Sequence, residues 1–168
     1  MARGSTIRWL PFVLCVALIA LFSSQDAPKQ DISGMISARP ALVKAVRALP
    51  HVSIRYSERT YDNRKDPVQF IVLFLRKGAH AAIYAGLGLS FNYAVGLWGL
   101  TPARRWIVSA MVVACTGALD ELHQTTVPGR SGLPLDVAID LGGFAAASAI
   151  KAWIEEYLKA RKDLGNSP

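Results

Sequence analysis

The chain has 168 residues, of which 52% are apolar and 18% are charged, and its mean hydropathy is +0.27. This composition is typical of one membrane domain, spanning residues 1–168. The formal net charge is +7, but the lysines and arginines separate apolar runs and form no continuous basic face, which argues against a nucleic-acid partner.

Four apolar segments approach the length of about 20 residues that a helix needs to cross a bilayer. They are Arg8 to Ser24, Gly78 to Leu100, Trp106 to Leu122 and Leu135 to Ile154. The sequence therefore predicts an all-α fold, an integral membrane four-helix bundle with a long basic connection, residues 25–77, between its first two helices. Cys15 and Cys115 lie inside apolar runs and indicate neither a disulfide framework nor a metal cluster.

The first segment follows Arg3 and Arg8 and has the features of either a signal peptide or an uncleaved anchor. No small-x-small cleavage site follows it, which favours an anchor. Basic residues in the short connections and at the chain end then predict a multi-pass protein of the cytoplasmic membrane with both termini in the cytoplasm. The connection of residues 25–77 is also basic although this topology places it outside; long connections follow the rule less strictly.

The long connection contains one amphipathic pattern. After Pro40, apolar residues alternate with Arg39, Lys44 and Arg47, which predicts a short helix that lies on anionic lipid or packs on the bundle. "HVSIRYS" alternates like a strand but has no evident partner, so we expect it to be irregular. Asp66 and Pro67 predict a helix start, leading through "VQFIVLFL" to a possible bend at Gly78.

Polar residues share helical faces at one membrane level. Three sets have spacings of three, four or seven residues: Lys77, His80 and Tyr84; Asp120, Glu121 and Gln124; and Asp136, Asp140 and Gly143. Because the second span starts, the third ends and the fourth starts at the same surface, we expect the three faces to meet. In "TVPGRSG", Pro128 and Gly129 suit a type II turn that directs Arg130 over this cluster, towards a carboxylate or a phosphate.

Three interpretations of this cluster remain open. The charges can form a polar clasp between helices, or a site in which Arg130 and Lys77 bind the phosphate of an amphiphilic ligand while carboxylates bind an amine or sugar hydroxyls. Alternatively the cluster is catalytic, with Glu121 or Asp120 as the general base and His80 as its partner. Metal binding by His80, His123 and Glu121 is not predicted, because no paired ligand spacing appears, and no cofactor is expected.

Two blocks carry a family resemblance: "RKGAHAAIYAGLG", from Arg76 to Gly88, and "DELHQTTVPGRSGLPLDVAIDLGG", from Asp120 to Gly143. Together they resemble the VanZ-like family, small bacterial membrane proteins named after a teicoplanin-resistance accessory protein. Members often carry asparagine where this chain has Asp140. The resemblance implies these characteristic positions: Lys77, His80, Tyr84, Glu121, Gln124, Arg130, Asp136 and Gly143.

The resemblance also implies a cell-envelope context and glycopeptide tolerance, but no particular reaction. The sequence therefore favours binding of membrane lipid or a lipid-linked cell-wall precursor at Lys77, His80, Tyr84, Glu121, Gln124, Arg130, Asp136 and Asp140. The alternatives are a membrane-embedded enzyme that modifies such a lipid and a structural or partner-binding bundle. Neither the oligomeric state nor the structure of residues 25–66 follows from the sequence.

Overall fold

The computed structural model describes residues 6–25, 31–128, 130 and 132–165, and this part of the chain is mostly helical. The elements in chain order are α1 (Leu10–Ser23), α2 (Ser33–Ser37), α3 (Pro40–Ala48), β1 (Ser53–Tyr56), β2 (Arg59–Asp62), α4 (Pro67–Ala94), a 3₁₀ turn (Val95–Leu97), α5 (Pro102–Gln124) and α6 (Pro134–Gly165). Two stretches, Pro67–Leu97 and Pro134–Asp163, are long and apolar enough to cross a membrane.

Helix α4 is central, because α1, α5 and α6 all pack against it. The core between these helices is formed by five buried side chains: Ile19, Tyr84, Leu87, Val113 and Phe144. Burying a large apolar side chain stabilises the fold by about 1.5–3 kcal/mol, so this core fixes how the four long helices are arranged.

Two glycines allow α4 and α6 to approach closely. A Cβ atom at Gly143 would lie 2.3 Å from the carbonyl oxygen of Ala81, and one at Gly88 would lie 2.3 Å from the Phe144 ring. Small residues at such contacts let helix backbones touch. The contact at Gly143 fixes the level at which α6 meets α4.

The predicted helix start at Asp66 and Pro67 is confirmed, since the backbone N–H of Gln69 donates to the Asp66 side chain at 3.1 Å. The helix then continues through Gly78 to Ala94, so the predicted interfacial segment and the beginning of the predicted second span belong to one helix. One glycine costs a helix only about 1 kcal/mol, and no proline interrupts this stretch. The last residues of the predicted connection, from Pro67 to Lys77, are therefore helical.

The predicted short amphipathic helix is α3. Its residues Val43 and Val46 pack on a second apolar cluster formed by Ile36, Ile71 and Val72. Packing on the protein, one of the two alternatives for this helix, is therefore observed. Helices α2 and α3 together cover the beginning of α4.

The segment "HVSIRYS" was expected to be irregular, and this was wrong. Residues Ser53–Tyr56 pair antiparallel with Arg59–Asp62, with Ser53 opposite Asp62 and Tyr56 opposite Arg59. A two-residue turn joins the strands, with Ser57 in the left-handed region at φ 56°. The partner strand, "RTYD", was not recognised because it lacks apolar alternation.

Two adjacent residues hold this hairpin in place, Asn63 through a bond to α3 and Asp62 through bonds to the chain on either side of the hairpin. Asn63 is fully buried; its amide donates to the carbonyl oxygens of Val46 and Pro50, both at 3.1 Å, and accepts from Val52 N at 2.9 Å. The Asp62 carboxylate accepts hydrogen bonds from His51 Nε2 at 2.8 Å and from the backbone N–H groups of residues 64 and 65 at 2.8 and 3.0 Å. These contacts, the one from His51 foremost, lower the pKa of Asp62.

We predict that Gly143→Ala destabilises the protein by about 1–3 kcal/mol, because the added methyl group overlaps the backbone of Ala81. Gly142→Ala is the matched control: its Cβ meets no atom within 4 Å, and alanine favours the helix by about 0.5–1 kcal/mol. Thermal unfolding in detergent micelles measures both. Equal melting temperatures for the two variants would contradict the close contact.

The order of the hairpin should depend on acid pH through Asp62. Because folding lowers the pKa of this carboxyl below its ordinary value of 3.8, its contribution is present above pH 3.8 and is lost as the pH falls towards the folded-state pKa. We expect hydrogen exchange in residues 51–65 to be faster in Asp62→Asn than in wild type at pH 6, with the difference shrinking below pH 3.8. A difference that does not change with pH would argue against this role.

Candidate functional site

The three polar faces meet where α4, α5 and α6 come together, as the helical spacing predicts. Lys77, His80 and Tyr84 lie on α4, the acids Asp120 and Glu121 near the end of α5, and Asp136 and Asp140 at the start of α6. The cluster is deeply buried. The exposed fractions of its residues are Tyr84 1%, Asp120 8%, Glu121 5%, Gln124 4%, Asp136 4% and Asp140 0%.

Lys77 and Asp136 form the strongest pair of the cluster. Lys77 Nζ lies 2.6 Å from both carboxylate oxygens, and the two side chains are 16% and 5% exposed. The Tyr56 hydroxyl donates to the same carboxylate, and the ammonium lies 4.5 Å from the centre of the Tyr56 ring. Asp136 is therefore neutralised and hydrogen-bonded from two directions.

Sequence reasoning missed Tyr56, because it lies in the segment expected to be irregular. It reaches the cluster only through the β-hairpin, 80 residues before Asp136 in the chain. Burial, followed by the hydrogen bond to Asp136, raises the pKa of Tyr56, so its hydroxyl stays a neutral donor at physiological pH. Recognising "RTYD" as a second strand was the one signal that could have identified it.

Gln124 and a backbone N–H orient the two acids of α5. The Gln124 amide donates to Asp120 Oδ2 at 3.0 Å and to Glu121 Oε1 at 3.4 Å, while the N–H of Leu133 donates to Glu121 Oε2 at 2.7 Å. The connection after α5 lies tightly against the helix, since a Cβ at Gly132 would lie 2.1 Å from the Glu121 carbonyl oxygen. Glu121 is thus held on both oxygens.

His80 and Asp140 form a looser contact. His80 Nδ1 lies 3.6 Å from Asp140 Oδ1, and the His80 ring stacks on Tyr84 with centroids 6.3 Å apart. Within the described part of the chain, several buried atoms of this cluster make no hydrogen bond: His80 Nδ1, the Tyr84 hydroxyl, Asp120 Oδ1 and both carboxylate oxygens of Asp140. Buried polar atoms are normally paired, so these atoms mark the part of the cluster that has spare hydrogen-bonding capacity.

Arg130 contacts a different partner from the one expected. Its Nη1 donates to the carbonyl oxygens of Phe22 at 3.0 Å and Ser23 at 3.4 Å, at the end of α1, and among the described residues it forms no ion pair with a carboxylate. The helix dipole makes this end attractive to a cation. The backbone N–H of Arg130 bonds Val127 O at 3.2 Å, but the expected turn type involves Gly129, which lies outside the described residues.

The guanidinium of Arg130 is half-buried, and burial lowers its pKa while Asp120 opposes this shift. The group therefore stands near the carboxylates without a salt bridge to any described one. Such a cation gains from an additional anionic partner, which phosphate or carboxylate groups supply in bidentate form.

A cavity of about 740 Å³ opens beside this cluster, between α1, α4 and α5. Its polar lining includes Arg76, His80, Asp120, Gln124 and Arg130. Its apolar lining includes Ile19, Phe22, Val72, Leu75 and Ile83. Arg76, which sequence reasoning did not select, is exposed on α4 next to the selected Lys77. The cavity thus offers cations, acceptors and hydrocarbon contact to one occupant.

Three side chains of the cluster also have the geometry of metal ligands. One ligand atom each from His80, Asp120 and Glu121 lies within 4.8 Å of the other two. His123, which the sequence places close to Glu121, is exposed and is not part of this group. The residue that completes the set is Asp120.

We predict that Lys77→Met destabilises the protein by about 3–5 kcal/mol, because it leaves the Asp136 carboxylate buried without its counter-ion. Lys151→Met is the matched control: its pair with Glu155 is exposed at 46% and 64%, and such pairs contribute about 0–1 kcal/mol. Chemical or thermal unfolding of both variants in the same micelles measures the difference. If Lys77→Met unfolds like the control, Asp136 does not depend on this ion pair.

Comparison with known proteins identifies a family. The model of the VanZ/LLP1 family matches residues 9–154, which include α1 to α5, the larger part of α6 and the whole polar cluster. No curated protein and no solved structure matches the chain significantly. Since the matched residues make up most of its 168 positions, the chain belongs to the VanZ/LLP1 family.

Proposed function

We propose that the chain is a multi-pass protein of the bacterial cell membrane that binds a phosphorylated envelope lipid, or a lipid-linked cell-wall precursor, in the cavity beside the polar cluster. The observation that carries this proposal is the lining of that cavity. The lining combines two arginines with apolar side chains of α1 and α4, which matches the two halves of an anionic amphiphile.

The outer surface of α5 supports a location in lipid. Its exposed large residues recur along one face of the helix: Ile107 60%, Met111 60%, Leu119 67% and Leu122 65%, with Cys115 exposed between them. Contiguous apolar surface of this extent is unusual on a water-facing helix. Its 23 residues rise about 34 Å, enough to cross a hydrocarbon core of about 30 Å. We therefore include α5 as a span beside α4 and α6, with the shorter α1 as the fourth.

The far end of the bundle has the character of a membrane interface. Aromatic rings cluster there at centroid distances of 5.4–5.9 Å: Trp9, Phe12, Phe91 and Trp98. Arg8 lies over the ring of Tyr93 at 4.5 Å. On α4, Lys77 and Tyr93 are 16 residues apart, about 24 Å, so the polar cluster and the aromatic cluster bracket most of a hydrocarbon core.

Two basic residues favour one orientation. A Cβ at Gly96 would lie 3.1 Å from Arg105 Nη1 and 3.4 Å from Arg8 Nη1, so both guanidinium groups stand at the aromatic end. Arginines in short connections mark the cytoplasmic side of a membrane protein. We therefore propose cytoplasmic termini, with the polar cluster, the cavity and the β-hairpin on the outer side of the membrane.

The ligand is inferred from the chemistry of the cavity. Arg76 and Arg130 are suited to bind a phosphate, Asp120 and Gln124 to bind sugar hydroxyls or an amine, and the apolar wall to contact the beginning of an acyl or prenyl chain. A cavity of about 740 Å³ accommodates a headgroup and part of one chain. Binding a lipid-linked precursor in this way would lower the access of teicoplanin to its target and would thereby give glycopeptide tolerance.

The enzymatic alternative rests on a separate observation, the unpaired oxygen of Asp120 beside His80 at the cavity wall. A carboxylate and an imidazole so placed can act as general base and partner on a bound lipid. A purely structural role explains the contacts between Lys77, Asp136 and Tyr56 but not the unpaired buried oxygens of Asp120 and Asp140. An Asp120→Asn variant that binds lipid but leaves it unmodified would identify the enzyme.

The binding proposal predicts selective lipid enrichment. Wild type extracted in polymer nanodiscs should contain an anionic phospholipid or lipid-linked precursor above its level in the surrounding membrane, and Arg76→Gln should reduce this enrichment by about tenfold, the effect of losing about 1.4 kcal/mol. Mass spectrometry of each disc against its own bulk membrane provides the measurement. Arg76 is chosen because, unlike Arg130, it is not bonded to the end of α1.

Arg104→Gln is the matched control, because Arg104 is also an exposed arginine but lies at the opposite end of the bundle, at the start of α5. It removes the same charge from a membrane interface without touching the cavity. Equal lipid profiles in wild type and both variants would reject the binding proposal and favour the structural clasp.

A further inference from the structure

The polar cluster contains more buried negative charges than its lysine and arginine side chains neutralise. Lys77 is paired with Asp136, and Arg130 is bonded to the end of α1. Over the described residues, the other three carboxylates, those of Asp120, Glu121 and Asp140, form no ion pair with a lysine or an arginine. Buried carboxylates without counter-charge are costly, so the fold is built to receive a positive charge here.

We infer that His80, Asp120 and Glu121 form a binding site for one divalent transition-metal ion at the polar end of the cavity. Their three ligand atoms already lie within 4.8 Å of one another. Around a zinc ion, ligand atoms at bond lengths of about 2.1 Å stand about 3–4 Å apart. The three side chains therefore need to close by only a fraction of their present separation.

The surroundings of the three ligands support this assignment. Metal-ligating carboxylates and imidazoles are usually held by further hydrogen bonds. Gln124 donates to Asp120 and Glu121, and Leu133 N donates to the second oxygen of Glu121. Asp140 Oδ1, 3.6 Å from His80 Nδ1, supplies the carboxylate that orients a ligating imidazole.

Unpaired buried atoms give an independent indication. Asp140 is 0% exposed and neither of its oxygens has a hydrogen-bond partner in the described part of the chain, and the same holds for Asp120 Oδ1. Asp120, with its unpaired oxygen, lines the cavity together with His80, and a ligand atom of each lies within 4.8 Å of the other. A cluster that served only to join helices would pair these oxygens with donors, as the clasp at Asp136 does.

The donor set indicates the kind of metal. One imidazole nitrogen with two carboxylate oxygens suits Zn²⁺ or Mn²⁺, whereas Mg²⁺ and Ca²⁺ prefer sites made of oxygen alone. Because His80 and Asp120 both line the cavity, the open coordination positions face its occupant. A phosphate held by Arg76 would then meet a second cationic group, although the metal site itself does not depend on the lipid proposal.

The experiment measures metal uptake by the whole protein in nanodiscs after chelation. Wild type dialysed against Zn²⁺ should retain one ion per chain, and Mn²⁺ bound in its place should give the electron paramagnetic resonance spectrum of a nitrogen- and oxygen-coordinated ion. His80→Gln should abolish this binding. Asp140→Asn, which changes only the orienting partner, should weaken it by about 10–100-fold.

His123→Gln is the matched control, because it removes an exposed histidine from the same end of α5 without touching the three ligands. It should bind metal like wild type. No Zn²⁺ uptake by wild type, or an equal loss in His123→Gln, would overturn the inference.

Arg76→Gln should still bind metal, so failure of the lipid proposal and failure of the metal inference give different results. A rise in the melting temperature of wild type with Zn²⁺, absent in His80→Gln, provides a second readout if a variant folds poorly.

Discussion

The structure depends on keeping four carboxylates buried at the junction of three mostly apolar helices. An ionised carboxylate removed from water is destabilising by several kcal/mol unless it is paired or hydrogen-bonded. Asp136 meets this constraint through Lys77 and Tyr56, and Glu121 through Gln124 and the backbone of Leu133. Asp120 and Asp140 meet it only in part, and this difference separates the structural half of the cluster from the half open to a ligand.

The same constraint explains why the described part of the long connection, residues 31–66, is ordered. Tyr56 can reach Asp136 only because a hairpin presents it; Asn63 holds that hairpin on α3, and Asp62 bonds to the backbone just after the hairpin. Helix α3 in turn packs on the beginning of α4, beside Ile71 and Val72. The hairpin and α3, which have the composition of a linker, thus connect the first turns of α4 to the start of α6.

Much of the cluster could be predicted from sequence because helical periodicity fixes which residues share a face. Lys77 with His80, Asp120 with Gln124, and Asp136 with Asp140 needed only that rule and the alternation of spans. Contacts that join distant parts of the chain were not accessible in this way. Tyr56 could be placed only by recognising a strand pairing, and the composition of the partner strand does not indicate a strand. Arg130 donates to a carbonyl oxygen at the end of α1, and no local sequence pattern indicates that this end lies nearby.

The contact between Gly143 and the backbone of Ala81 has an evolutionary consequence. With α6 fixed against α4 at this point, and with no α6 residue among the described residues that line the cavity, the α6 acids Asp136 and Asp140 and the cavity wall can change separately. A substitution at Phe22, whose side chain lines the cavity and lies outside the core cluster, can alter the wall while both α6 carboxylates stay in place. Descendants of one ancestral sequence can therefore diversify in the shape of the cavity while they inherit the same pair of α6 acids.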